Sequence, residues 1–90
     1  MRIPRPVDVE AREVPESGNL VLLDPAGAEM IVLNPVAAVI YQLMDGARDV
    51  DAIARIVADA LTAPIDHVTR DVEAFVADML ARGLVRVEER

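Results

Sequence analysis

The 90-residue chain contains no cysteine and no lysine. Without thiols there is no disulfide scaffold, no thiolate nucleophile and no thiolate metal site. Without lysine there is no Schiff-base or phosphate-loop amine, and all nine basic residues are arginine. Aromatic side chains are nearly absent as well: Tyr41 and Phe75 are the two. A core must therefore be built from Val, Leu, Ile, Ala and Met. No apolar run approaches the roughly 18 residues of a membrane span. The start, "MRIPRPVDVEAREV", lacks the apolar stretch of a secretion signal. The expectation is a soluble cytoplasmic protein with no membrane partner. Positive charge is in deficit, with a net charge of −7. That balance argues against nucleic acid and anionic surfaces as partners, and it also serves solubility.

Residues that carry chemistry are sparse. His67 is the sole histidine. Beside Asp66 and Asp71 it has no second nitrogen ligand, and it reads as an exposed helix-start residue. Asp71 and Asp78, seven residues apart, fall on one side of a helix. Nothing in the sequence supplies the pocket that would separate their pKa values. Ser17 stands in a turn with no base in sight. The four glycines, at 18, 27, 46 and 83, fall at element boundaries and form no phosphate loop. The expectation is a protein with no catalytic residues, no cofactor and no metal.

What is present is a chain that is 53% hydrophobic, enough for one packed domain and too much for a disordered tail. Residues 1–6, "MRIPRP", read as a flexible N-terminal arm because two prolines break any helix. Residues 7–90 then form a single domain. "VDVEAREV" alternates Val7, Val9 and Ala11 with Asp8, Glu10 and Arg12, the signal of a half-buried strand. "PESGN" is a turn cluster and "LVLLD" a second strand. "DPAGA" is a hairpin connection in which Gly27 suits a positive φ. "EMIVL" returns as a third strand.

Asn34 is a good N-cap and Pro35 fits the first helical position. That helix stops at "DG", Asp45–Gly46. Asp49 caps a second helix with Val50, Ile53, Ala54, Val57, Ala60 and Leu61 on one face, and Ile56 off it. Asp66 caps a third, running to about Arg82, with Val68, Val72, Phe75, Val76 and Met79 on one face. Gly83 ends it, and "LVRVEE" adds a closing strand or a wing. The fold class is α+β: a three-stranded antiparallel sheet followed by three helices, like a winged helix-turn-helix.

The third strand raises a question. Met30 and Val32 point one way, Ile31 and Leu33 the other, and all four are apolar. The second strand is apolar on both faces too. If sequential strands neighbour one another, the third lies at an edge, and neither proline nor lysine blocks that edge. Three readings stand. The arm, the tail or the third helix covers the extra apolar side chains; or an incoming peptide adds a strand there; or two copies pair, as a strand-exchanged homodimer in place of a monomer. A DNA-binding regulator is a further alternative. Against it, the third helix carries Asp66, Asp71, Glu73 and Asp78 but only Arg70 and Arg82.

At "LVLLDPAGAEMIVLNPVAAVIYQLMDGARDVDAIARIV" and "DVEAFVADMLARGLV" the chain resembles the PqqD-like proteins, the recognition elements of ribosomally made, post-translationally modified peptides (RiPPs). An apolar hairpin leads to "LN" at Leu33–Asn34, and the first helix ends in "DG" at Asp45–Gly46. A "V..IA" helix follows at Val50, Ile53 and Ala54, and the last helix reads "DV..FV..ML..GLV". The resemblance spans about residues 18 to 86. It implies a non-catalytic chaperone domain that captures the leader of a precursor peptide as an added strand. Capture falls between the third strand and the third helix, and the domain presents the leader to a modifying enzyme. In the pathway to pyrroloquinoline quinone that enzyme is a radical S-adenosylmethionine protein. Carried over by position, the peptide-binding residues are Glu29, Met30, Ile31, Val32 and Leu33 on the strand. On the helix they are Asp71, Ala74, Phe75, Asp78 and Arg82.

Overall fold

The computed structural model describes residues 2–23 and 29–89. The elements are β1 (Arg2–Pro6), β2 (Ala11–Val14), β3 (Asn19–Leu23), β4 (Met30–Leu33), α1 (Pro35–Leu43), α2 (Val50–Leu61), α3 (Ile65–Ala81) and β5 (Val85–Glu89). The expected α+β arrangement is present: β2, β3 and β4 form an antiparallel sheet in that order, and three helices follow. The connection 24–28, where the hairpin turn and Gly27 fall, lies outside the described residues.

The first six residues correct the expectation of a flexible arm. Arg2–Pro6 is a strand paired antiparallel with β5, from Arg2 opposite Glu89 to Pro6 opposite Val85. Two prolines exclude a helix, but they are tolerated in a two-stranded ribbon, where each strand keeps one unpaired margin. Ile3 and Pro4 are fully buried, which fixes the ribbon to the body. "LVRVEE" is accordingly a closing strand that pairs with β1 and not with the three-stranded sheet. The strand expected over 7–14 shortens to Ala11–Val14, all exposed. The Val7 N–H is donated to the Leu84 carbonyl (3.0 Å), so this part of the chain is held on the β5 side before it crosses to β3.

Local capping sets the helix starts. The Asn34 side chain accepts from the Ala37 N–H (2.9 Å), with Pro35 at the first position of α1. The Asp49 side chain accepts from the Ala52 N–H (2.7 Å) at the start of α2. Asp66 is not the cap of α3. The helix begins one residue earlier, flanked by Pro64 with no side-chain cap, and Asp66 lies in the first turn, where its charge complements the helix dipole. On α2 the buried face is Val50, Ile53, Ala54, Val57 and Ala58. Ala60 and Leu61 are exposed, lining an apolar groove against Val36 and Val39 of α1 before Thr62 turns the chain in a left-handed conformation. The core joins Leu20, Leu22 and Leu33 of the sheet to Ile40, Ile53, Val57, Val72, Val76 and Met79 of the helices.

The "DG" turn does two jobs. The Asp45 carboxylate accepts from the Ala47 and Arg48 N–H groups (3.0 and 3.1 Å) and pairs with the Arg48 guanidinium (2.8 Å). These donors, the backbone N–H groups first, hold its carboxyl below the usual carboxylate value. Gly46 has φ +82°, and its N–H donates to the Pro4 carbonyl. The turn calls for glycine through this positive φ, while a Cβ there would lie 3.4 Å from Arg5 Cβ, in contact with β1 without a clash.

A prediction follows from the lowered carboxyl. Its contribution to stability is complete above the unfolded value near 3.8 and is lost as pH falls through the lower folded value. Asp45→Ala is expected to lower the thermal midpoint at pH 7. The gap from wild type should close only below about pH 4, as read by circular dichroism melts across pH. A gap already closed at pH 6 would contradict the assignment.

Candidate functional site

β4 lies at the edge of its sheet. It pairs with β3 alone, Leu20 facing Leu33, Val21 facing Val32, Leu22 facing Ile31 and Leu23 facing Met30. Among the described residues, neither β1 nor β5 seals its other margin, because the two pair with each other. Among the described residues, the N–H and C=O groups along that margin have no strand partner.

The side chains divide by alternation. Leu33 is buried in the core and Ile31 is half-buried against it. Met30 and Val32 point the other way and are 67% and 56% exposed. The second face of the strand is therefore open. Val21 and Leu23 stand opposite Val32 and Met30 on that same face and are half-buried. They extend the apolar surface onto β3. The double-sided pattern of "EMIVL" is present in "LVLL" as well, and it is the signal that finds them.

One ion pair links the end of α3 to the residue before β4. Arg82, at the helix end, reaches the Glu29 carboxylate (3.8 Å), just before β4. Its Nε also donates to both Asp78 oxygens (3.2 and 3.3 Å). These groups are well exposed, so the pairing contributes at most about 1 kcal/mol and opens easily. The structure thus brings Glu29, Asp78 and Arg82 together.

Asp71 and Ala74 make no such contact with the strand. They belong to the same flank by helical period: residues 71, 78 and 82 fall within roughly 40° of one another. Both are exposed. Phe75 is half-buried and packs against the core, with part of its ring left to the surface. The structure shows an open apolar margin on β4 and, separately, exposed Asp71, Ala74 and Asp78 on α3.

The family described as Coenzyme PQQ synthesis protein D (PqqD) matches residues 19–85. The chain belongs to the PqqD family. A curated relative from Rhizobium meliloti (strain 1021), named PqqA binding protein, is 33% identical over 79 residues. That match covers 88% of this chain and 79% of the relative. Among solved structures, the chain resembles the PqqD portion of Methylobacterium extorquens PqqCD, determined in solution by NMR. The TM-score is 0.75 at 25% identity, over 92% of this chain and 87% of the other. That PqqD is described as a functional, stand-alone RiPP recognition element. The PqqD match begins at Asn19, the first residue of β3, and ends at Val85, the first of β5. It therefore takes in β3, β4 and all three helices, the elements that carry the candidate residues.

Proposed function

We propose that this chain binds the leader of a ribosomally synthesised precursor peptide by strand addition along β4, and presents it to a modifying enzyme without chemistry of its own. The observation that carries this reading is the unpaired, apolar margin of β4 in a PqqD fold. A relative named for binding PqqA and a structural match to a RiPP recognition element support a peptide as the occupant. Main-chain hydrogen bonds to β4 give affinity that tolerates sequence variation, and alternate side chains of the peptide give selectivity. A micromolar complex corresponds to about −8 kcal/mol. A few apolar anchors at about 1.5–3 kcal/mol each supply that after the ordering cost. In this reading Met30, Val32 and the exposed part of Phe75 receive those anchors. The enzyme served is of the kind that modifies PqqA-like precursors, a radical S-adenosylmethionine protein in the pyrroloquinoline quinone route, and the setting is the cytoplasm.

The test is a titration of isotope-labelled protein with a synthetic PqqA peptide, followed by NMR. Amides of residues 29–33 and of α3 are expected to shift, with slowed amide exchange along β4. Shifts confined to the β2–β3 turn or the β1–β5 ribbon would count against the proposal. Sedimentation of the free protein across concentration separates peptide capture from pairing between two copies through the same margin.

A further inference from the structure

We propose that a second copy of this chain docks, weakly and with two-fold symmetry, on the apolar groove between α1 and α2. None of the residues lining that groove belongs to β4, and the inference does not depend on peptide capture. The groove lies between Pro35, Val36 and Val39 of α1 and Val57, Ala60 and Leu61 of α2, and has a volume of about 190 Å³. No charged residue lines it. α1 has no acidic or basic residue from Pro35 to Leu43. A helix without a polar face is ordinarily enclosed by protein. Here Val36 and Val39 are each 44% exposed, and Leu61 across the groove is 51% exposed.

Charge selects the occupant. In a two-fold contact each patch meets a copy of itself, so a patch with net charge faces its own sign. The chain carries −7, and most of its surface is therefore ill suited to self-contact. This groove is not, because it is neutral. On its α2 side stand one cation and one anion, Arg55 and Asp59, one helical turn apart beside Ile56. Both are exposed and neither joins an ion pair among the described residues. Two copies meeting with their α2 helices antiparallel set each Arg55 against the other's Asp59, two attractive pairs in place of a like-charge clash. On the other side of Val39, Glu13 is already engaged as acceptor of the Gln42 amide (3.3 Å). The patch also carries both halves of a knob-and-hole contact: Val39 and Leu61 stand out on either bank, and the groove between them receives the same side chains of the other copy. Six lining residues a side fall short of the roughly 20–30 of a standard interface, so the dimer is weak, half-formed between about 10 μM and about 1 mM.

The test is a concentration series of the isotope-labelled full chain without peptide, from about 10 μM to about 2 mM, followed by NMR at about 0.15 M salt, where a Debye length of about 8 Å screens the remote like charges but not a pair in contact. Amides around Val36, Val39 and Leu61 are expected to shift with concentration, while those of residues 30–33 stay fixed. Val39→Glu and Leu61→Glu place like charge at the two-fold contact and should each weaken association at least tenfold. Both positions are exposed, so the thermal midpoint should match wild type. Asp59→Arg sets arginine against arginine and should weaken association about three- to tenfold, each surface pair counting twice by symmetry. Adding Arg55→Asp to that same chain should restore wild-type association with the net charge unchanged, a response that a contact between two copies gives and a contact with a different protein does not. Where a Glu variant lowers the thermal midpoint, the Arg55 and Asp59 exchange decides the matter. Shifts that are absent up to about 2 mM, that fall on β4 instead, or that persist in both Glu variants overturn the inference. So does a double exchange that fails to restore association.

Discussion

Ile53→Ala is expected to lower the unfolding free energy by about 2–5 kcal/mol. Ile53 is on α2, completely buried, and belongs to the core that joins the helices to the sheet. Truncation removes the transfer free energy of the lost methyl groups and leaves a cavity. The surrounding Val and Leu side chains, packed from several elements, close it only in part. At 0.05–0.15 kcal/mol per residue a chain of this length has a total stability of roughly 5–13 kcal/mol. One such cavity therefore removes a large share of it. Urea denaturation followed by circular dichroism reads the effect directly. Ile56→Ala is the control: Ile56 is on the same helix but 41% exposed, and its loss should stay below about 1 kcal/mol. Equal losses at 53 and 56 would contradict the placement of the core.

The second large effect concerns the margin of β4. In a strand, the N–H and C=O of alternate residues face the same neighbour, so Met30 and Val32 share one side and Ile31 and Leu33 the other. Proline removes a donor and adds bulk at the N–H position. A scan of single prolines at 30, 31 and 32 is therefore expected to show period two. One set breaks the ladder to β3 and lowers the thermal midpoint. The other keeps the fold and blocks the free margin, with at least a tenfold loss of binding to a PqqA peptide, about 1.4 kcal/mol. Calorimetric titration with melts on the same samples separates the two. Prolines that all preserve binding would remove strand addition as the mode of capture.

Legibility in the sequence followed the range of each interaction. Asn34 and Asp49 were readable as caps because an N-cap is satisfied within three residues of chain. The open second face of β4 was readable because alternation is local, and Met30 and Val32 show it in the structure. Asp66 misled for a related reason: it is a good capping type, yet the chain enters α3 from Pro64, two residues sooner than its chemistry suggests. The β1 strand was not readable. Its partner lies some eighty residues away, and two prolines in five residues suppress the ordinary strand signal. The bridge from Arg82 to Glu29 also spans more than fifty residues of sequence. Patterning gave the strand edge and the helix stripe, but not which side chains meet. The expectation of a cleft between them came from the open edge, and the family resemblance named the residues on each.

The pairing of β1 with β5 sets Arg2 directly across from Glu89. A tether leaving either terminus thus departs from the same spot, and neither strand there is laddered to β4. Joining the domain to a larger protein head-first or tail-first would hang it from the same ribbon, with the open edge of β4 in a different sheet from the joint.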